Sequence, residues 1–434
     1  MRNTIFALSS GRLPSGVAVI RLSGPDTIAI FKAMVGRLTP PRHASLVKLR
    51  AKDGGLLDQA LAFWFPAPAS FTGEDCAEFH VHGGPAVVRA VMRELGSFPG
   101  LRVAEPGEFS RRAYLHGKFD LAQAEALGDL IAAETDAQRR FALQNADGRQ
   151  GVLYRAWRER MIRARAWIEA ELDFSDEGDV PDTLSQAVWA DVQALCLEVE
   201  RHCTEFHKSE IIREGLDVVI AGAPNAGKSS LLNALARRDV AIVSPLEGTT
   251  RDLIEVSLDV AGYKIRVTDT AGLRDGSDPL EMEGITRARK RLETADVVLH
   301  LADCNSQQSA VPISSCGEVI RVGTKSDLGG HGSGCFHVMI STVSGEGISE
   351  LLALLEARAM NLVGAIGVAP SQERHVALLR VAAAHMKNAI TGDLPIEVAA
   401  EELRLASDSI GRITGDIDVE DLLGAVFANF CIGK

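Results

Sequence analysis

Between residues 1 and about 118, apolar runs of strand length (Gly16 to Leu22, Leu61 to Phe65, Ala77 to Val81) alternate with stretches of helical period (Asp26 to Val35, Ala86 to Leu95), with Gly and Pro at the joins. The pattern predicts a small α/β domain over 1–118. From Leu121 to about Lys208 the period lengthens to that of helices rich in Ala, Leu, Glu and Arg, broken by an acidic turn from Ser175 to Asp182. This predicts a helical layer over 119–213. Strand-length apolar runs then return (Leu216 to Ala221, Tyr263 to Asp269, Val297 to Leu301, Val319 to Val322), separated by helical segments, as a mostly parallel sheet over 214–362 requires. From Arg374 to Lys434 the pattern is helical again, giving a fourth segment, 363–434. Similar helical composition on both flanks predicts that the α/β block is inserted into one helical domain. The fold class expected is therefore multidomain α/β plus all-α. The run Gly329 to Gly334 reads as a flexible loop.

Composition narrows the class. A chain of 434 residues with 46% hydrophobic content can build two to four cores. No stretch approaches the roughly 20 apolar residues of a membrane span, and no charged segment with a hydrophobic run and cleavage site opens the chain, so a cytoplasmic address without membrane contact is expected. Seven scattered cysteines form no C-x-x-C pair, which suggests neither a disulfide framework nor a zinc site. The net charge of -12 argues against a general nucleic-acid coat. Any RNA contact must be local. Arg155, Arg158, Arg160, Arg163 and Arg165 could line one side of a helix; the plainer reading is a solvated face balanced by Glu159, Glu169 and Glu171.

The chemistry is concentrated in the third segment. Gly222-Ala223-Pro224-Asn225-Ala226-Gly227-Lys228-Ser229, between an apolar strand and a helix start at Ser230, has the G-x-x-x-x-G-K-[ST] spacing of a phosphate-binding loop. Its backbone N–H groups can close around phosphate oxygens, Lys228 faces the outer phosphates and the Ser229 hydroxyl can sit on Mg²⁺. Asp269-Thr270-Ala271-Gly272 ends a strand, where the carboxylate can hold Mg²⁺ through water and the Gly272 N–H can sense the γ-phosphate. In Thr324-Lys325-Ser326-Asp327, the Asp327 carboxylate can accept from N1–H and the exocyclic amine of guanine, which adenine cannot offer, while the Lys325 stem covers the base. This predicts GTP. Asn usually stands where Thr324 does; the Thr324 hydroxyl can still tie loops together. Ser341-Thr342 fits a loop backing the base. Gly248 to Asp252 supplies a mobile switch segment with Thr250 as a second Mg²⁺ ligand. Leu273 stands where Ras-like enzymes place the water-orienting glutamine, so another residue must do that work; Asp275, Asp278, Glu281 and Glu283 are candidates.

These elements, with Val17 to Gly24, Ser70 to Asp75, His82 to Pro85, Pro106 to Phe109, Lys118 to Ala126 and the ending Phe430-Cys431-Ile432-Gly433-Lys434, resemble the MnmE (TrmE) family of tRNA-modifying GTPases nearly end to end. The resemblance implies a Ras-like P-loop G domain inserted into a helical domain and preceded by an N-terminal folate-binding and dimerisation domain. It implies a homodimer acting with the FAD-dependent partner MnmG, in a heterotetramer or larger complex. The activity implied is installation of an aminomethyl or carboxymethylaminomethyl group on carbon 5 of the tRNA wobble uridine. The one-carbon unit would come from 5,10-methylene- or 5-formyltetrahydrofolate. FAD is expected on the partner only, since no G-x-G-x-x-G follows a strand here. By resemblance, Arg21, Glu78, Lys118 and Lys434 contact folate, and Asn225 coordinates an activating K⁺ with Ser244, Leu246 and Thr249. Asn225 also suits a turn. Glu281 matches the position that orients the attacking water, so Glu281 and Lys228 are expected to carry hydrolysis. The nucleotide contacts expected are Asn225 to Ser230, Ser244, Thr249, Thr250, Asp269 to Gly272, Thr324, Lys325 and Asp327. Cys431 reads either as a reactive thiol or as packing. His80 and His82 share a strand face but lack a third metal ligand. A ribosome-assembly switch that uses the same G domain is the alternative function; the terminal motif and the folate residues favour modification chemistry.

Overall fold

The computed structural model describes residues 3–173, 182–238, 240–242, 255–269, 291–305, 317–329, 336–365, 367–391, 394–417, 420–428, 430 and 432–433. The chain forms two compact units: one comprises Met1–Gly128, Gly151–Glu159 and Ser407–Lys434, the other Asp129–Gln150 and Arg160–Ala406.

The first unit is built on β1 (Thr4–Leu8), β2 (Ser15–Ser23), α1 (Thr27–Val35), β3 (Ser45–Arg50), β4 (Leu56–Phe65), β5 (Cys76–Gly83), α2 (Pro85–Gly96), β6 (Leu101–Val103), α3 (Glu108–Leu115) and the start of α4 (Leu121–Ala132). Its sheet runs β3-β4-β5-β2-β1-β6, antiparallel except for the parallel β1–β6 pair. Period-2 alternation decides its faces. Ala77, Phe79 and Val81 of β5 and Ala60, Ala62 and Trp64 of β4 point into a core closed by Ile30, Phe31 and Met34 of α1 and Val88, Val91 and Leu95 of α2. Phe31 stacks on Phe79 at 5.6 Å. Glu78, His80 and His82 consequently share the opposite face. Pro85, lacking an N–H, opens α2 where none is needed. The last described helix of the chain joins this unit: Leu423 and Phe427 pack with Leu121 and Ala124, Tyr114 Oη donates to Gly415 O at 2.8 Å, and Ile432 pairs with Pro106.

The second unit contains α5 (Asp136–Ala146), most of α6 (Arg149–Asp173), α7 (Asp182–Thr204), α8 (Phe206–Glu214), β7 (Leu216–Gly222), α9 (Lys228–Ala236), β8 (Glu255–Val260), β9 (Tyr263–Asp269), β10 (Val297–Asp303), β11 (Glu318–Thr324), β12 (Val338–Met339), α10 (Ile348–Val363), α11 (Glu373–Thr391) and most of α12 (Ile396–Thr414); α13 (Glu420–Ala428) belongs to the first. The sheet order is β12-β11-β10-β7-β9-β8, parallel throughout except for the β8–β9 hairpin. Central β7 is apolar on both faces, with Val218, Val219 and Ile220 fully buried, because helices cover both sides of a parallel sheet. Strand order reverses about β7, the position at which open α/β sheets bind ligands beyond the carboxyl ends of their strands.

Three of the α6 arginines are paired with carboxylates. Arg155 donates to Asp120 at 2.8 Å, Arg160 to Asp191 and Glu198 at 2.6 and 2.9 Å, and Arg165 to Glu169 at 2.7 Å. Among the described residues, no helix is long and apolar enough to cross a membrane.

Candidate functional site

The phosphate loop leaves the end of β7 in backbone that few side chains tolerate. Gly222 has φ 150°, and a Cβ there would lie 2.4 Å from Leu301 O on the adjoining strand. Asn225 adopts φ 64°, a left-handed turn Asn accepts more readily than most residues. Gly227, at φ 91°, precedes α9, which starts at Lys228 rather than at Ser230 because the glycine turn lets the helix begin directly. No side chain caps α9, so its first N–H groups are left to face an anion. Lys228 Nζ folds over the loop and donates to Gly222 O and Ala223 O at 2.8 and 3.0 Å. The next residue's hydroxyl, Ser229 Oγ, donates to Asp269 Oδ2 at 2.8 Å. Asp269 is buried at the end of β9, opposite Ile220 of β7. An alcohol and a carboxylate within hydrogen-bond reach at a phosphate loop are the donor types a hard Mg²⁺ takes.

The segment from Thr324 to Asp327 closes the other side. Thr324 ends β11 buried, and its Oγ1 donates to Ala226 O in the phosphate loop at 2.9 Å, with Ala302 O at 3.3 Å. Lys325, at φ 59°, pairs with Asp303 Oδ2 at 2.8 Å. That lysine, with the Asn305 N–H, holds the Asp303 carboxyl below its ordinary range. Asp327 is exposed on a single 3-10 turn, Ser326–Leu328. Buried Ser341 Oγ accepts from Val343 and Ser344 N–H at 3.2 and 3.1 Å and shapes the loop beneath. Ser230 is exposed on α9. The structure thus brings together Asn225, Ala226, Gly227, Lys228, Ser229, Asp269, Thr324 and Lys325. Ser244, Leu246, Thr249, Thr250, Thr270, Ala271, Gly272 and Glu281 lie outside the described residues.

A second cluster occupies the first unit. Register sets Arg21 directly across from Glu78, and Arg21 Nε donates to Glu78 Oε1 at 2.9 Å. The guanidinium lies 5.2 Å from the Phe71 ring centre and 5.8 Å from that of Phe109. Lys118 Nζ donates to Pro68 O on the loop that carries Phe71. Cys431 and Lys434 lie outside the described residues. His80 bonds Glu78, and His82 Nδ1 lies 2.8 Å from Asp58 Oδ1, so the two imidazoles serve separate carboxylates. Among the described residues no group of three or more His, Cys, Asp or Glu could hold a metal.

Beneath this cluster sits a residue that sequence reasoning missed. Arg112 is buried, donating to Glu74 Oε2 and Glu108 Oε1, each at 2.9 Å, and to Asn3 O at 3.0 Å. Burial alone would raise the Glu108 carboxyl, but bonds from Arg102, the Glu105 N–H and Arg112 outweigh it and hold the group below its ordinary range. Glu74 and Glu108 lie in motifs visible in the sequence; the four-residue spacing of Glu108 and Arg112 on α3 is a local signal for their pair, and nothing local marks Arg112 as the partner of Glu74 as well.

Comparison with known proteins agrees with this layout. Residues 4–118 match the family model described as GTP-binding protein TrmE N-terminus, and residues 121–431 match the MnmE helical domain. The tRNA modification GTPase MnmE of Brucella suis biovar 1 (strain 1330) is 54% identical over 434 residues, which is 100% of this chain and 98% of that protein. Its counterpart from Mesorhizobium japonicum is 54% identical over 439 residues, covering 100% of this chain and 99% of its own. Among solved structures, the G domain of the T. maritima FeoB iron transporter aligns over 34% of this chain and 98% of its own at 24% identity, with a TM-score of 0.24, too low to carry an argument.

Proposed function

The chain belongs to the MnmE family of tRNA modification GTPases, and on that premise we propose that it is a K⁺-activated GTPase working with an FAD-dependent MnmG partner to modify carbon 5 of the tRNA wobble uridine. The observation that carries the nucleotide half is the closed set of contacts linking the phosphate loop to Asp269 and Thr324. Lys228 would exchange its two carbonyl partners for phosphate oxygens. Mg²⁺ would be held by Ser229 and Thr250, with Asp269 behind it, and would neutralise charge developing between the β and γ phosphates. Asn225, Ser244, Leu246 and Thr249 would hold K⁺, which supplies the charge an arginine finger gives elsewhere. Glu281 would orient the attacking water.

Arg21, Glu78, Lys118 and Lys434 would bind a tetrahydrofolate, 5,10-methylene or 5-formyl, as the one-carbon source. Support comes from the chemistry of the cluster: a carboxylate for the donor edge of a pterin, cations for carboxylates and aromatic faces beside them. A homodimer through the N-terminal domain is supported by the sheet face opposite the core, where Val17, Leu46 and Leu61 are 55%, 64% and 41% exposed. Assembly with MnmG and a cytoplasmic location complete the proposal. The test is mass spectrometry of tRNA nucleosides from source cells lacking the chain, complemented with wild type or Glu281→Ala. Loss of 5-aminomethyl-type uridines, restored by wild type and not by Glu281→Ala, is expected. An unchanged nucleoside profile in the deletion would refute it.

A further inference from the structure

Lys325 holds a backbone conformation that lysine rarely takes. Its φ is 59°, in the left-handed region, on the residue that directly follows β11. Both neighbouring residues tie it there: Thr324 O accepts from the Cys304 N–H at 3.0 Å, and the Ser326 N–H donates to Ile340 O at 3.2 Å. Strain of this kind persists where the surrounding structure over-determines it, and such residues cluster at ligand sites. The side chain is tied as well. Register sets Asp303, the last residue of β10, beside Thr324, and Lys325 Nζ donates to Asp303 Oδ2 at 2.8 Å. The carboxylate is itself oriented, because Asp303 Oδ1 accepts from the Asn305 N–H at 2.9 Å.

The lysine therefore reaches from the end of β11 to the end of β10 with both ends held, and its methylenes span the distance between them. A half-buried stem whose charge is drawn to one side is an apolar strip suited to a flat ring. The side chains of Lys325 and Asp303 are 38% and 25% exposed, and a pair that wet adds little to global stability, so its consequence lies in the side chain it orders. We infer that Asp303 is a positioning residue for guanine binding: it pins the Lys325 ammonium before nucleotide arrives, so that the stem covering the base needs no ordering when the nucleotide binds. The inference rests on the guanine reading of Thr324 to Asp327.

Lysine is among the side chains richest in rotamers. Ordering one such chain at the moment of binding weakens affinity about threefold to tenfold, and without Asp303 that cost moves from folding to binding. A second role is open to the same carboxylate, as a cap for the turn at Asn305. That role uses Oδ1 and does not depend on the charge of the lysine. The two roles therefore predict different behaviour when both residues are changed together.

The experiment is titration of the full-length protein, at fixed Mg²⁺, with GDP and ADP carrying the same fluorophore on the ribose. Asp303→Asn keeps the size and one oxygen for the Asn305 N–H but not the charge; Lys325→Met keeps an apolar stem but not the ammonium. Each is expected to bind GDP about threefold to tenfold more weakly than wild type, and the double variant within about twofold of either single one, because both changes remove the same pair. Circular dichroism melts check that the variants fold, and Asp303→Ser is a second removal of the charge should Asp303→Asn fail to. Losses that multiply in the double variant, or an Asp303→Asn protein within about twofold of wild type, refute the role of Asp303, and the guanine reading stands as long as wild type prefers GDP to ADP. A Lys325→Met protein that binds no GDP shows the ammonium serving the nucleotide itself and refutes the role too. If wild type binds the two nucleotides equally, the guanine reading fails and the inference goes with it.

Discussion

Thr324→Val tests whether the segment proposed to face guanine and the phosphate loop act as one body. Valine keeps the branched shape and removes only the hydroxyl, which donates to Ala226 O at 2.9 Å. The lost bond is worth about 1 kcal/mol net, and a buried carbonyl left short of a donor raises the total to about 1–2 kcal/mol. At tenfold per 1.4 kcal/mol, fluorescent GDP should bind roughly 5- to 30-fold more weakly, by titration of the emission change at fixed Mg²⁺. Thr324→Ser, which restores the donor, should recover most of the affinity. A valine variant within about twofold of wild type would refute the coupling, on the same scale. Equal losses in the serine and valine variants would detach the effect from the hydroxyl and refute the coupling as well.

Arg112→Met should destabilise the first unit by about 3–5 kcal/mol, because Glu74 and Glu108 lose their buried partner together; thermal denaturation reads this, and a loss below about 1 kcal/mol would contradict it. His202 in α7 is pushed down from 6.5 to about 4, by burial first and by neighbouring His375 second. Between those values the unfolded chain holds the proton and the folded chain does not, so stability falls as pH drops from about 6.5 towards 4, by about 3 kcal/mol in all. Chemical denaturation at pH 7.5 and 4.5 should show a smaller pH dependence in His202→Gln than in wild type, and equal slopes would contradict the assignment.

What could be read from the sequence was what is local. The turn from β7 into α9 needs its glycines within a few residues of each other, and spacing alone exposes that. The alternation of β5 likewise placed His80 and His82 on one face. Partnerships across the chain were less visible. The Thr324 hydroxyl was expected to tie loops together, but its acceptor lies 98 positions away, and the sheet decides which carbonyl it meets. The α6 arginines showed the same limit. Helical period set their side of the helix, while Asp120, Asp191 and Glu198 arrive from other elements, and only Glu169 was among the expected partners. Arg112 was only half legible: Glu108 stands four residues before it on α3, but Glu74 and Asn3 O arrive from other segments, and no residue spacing records that.

The first unit also sets an order of events during synthesis. Its sheet is complete by residue 103, yet α13, which covers Leu121 and Ala124, is made some 300 residues later; Tyr114 and Gly415 are 301 positions apart. At about 5–20 residues per second the ribosome takes roughly 15–60 s to cover that distance. For that time the strands and α1–α2 can close around their own core while the apolar flank of α3 and α4 waits bare. The price of a split domain is a nascent chain with a sticky patch, and chaperone contact during that interval is where such a chain is most exposed to loss.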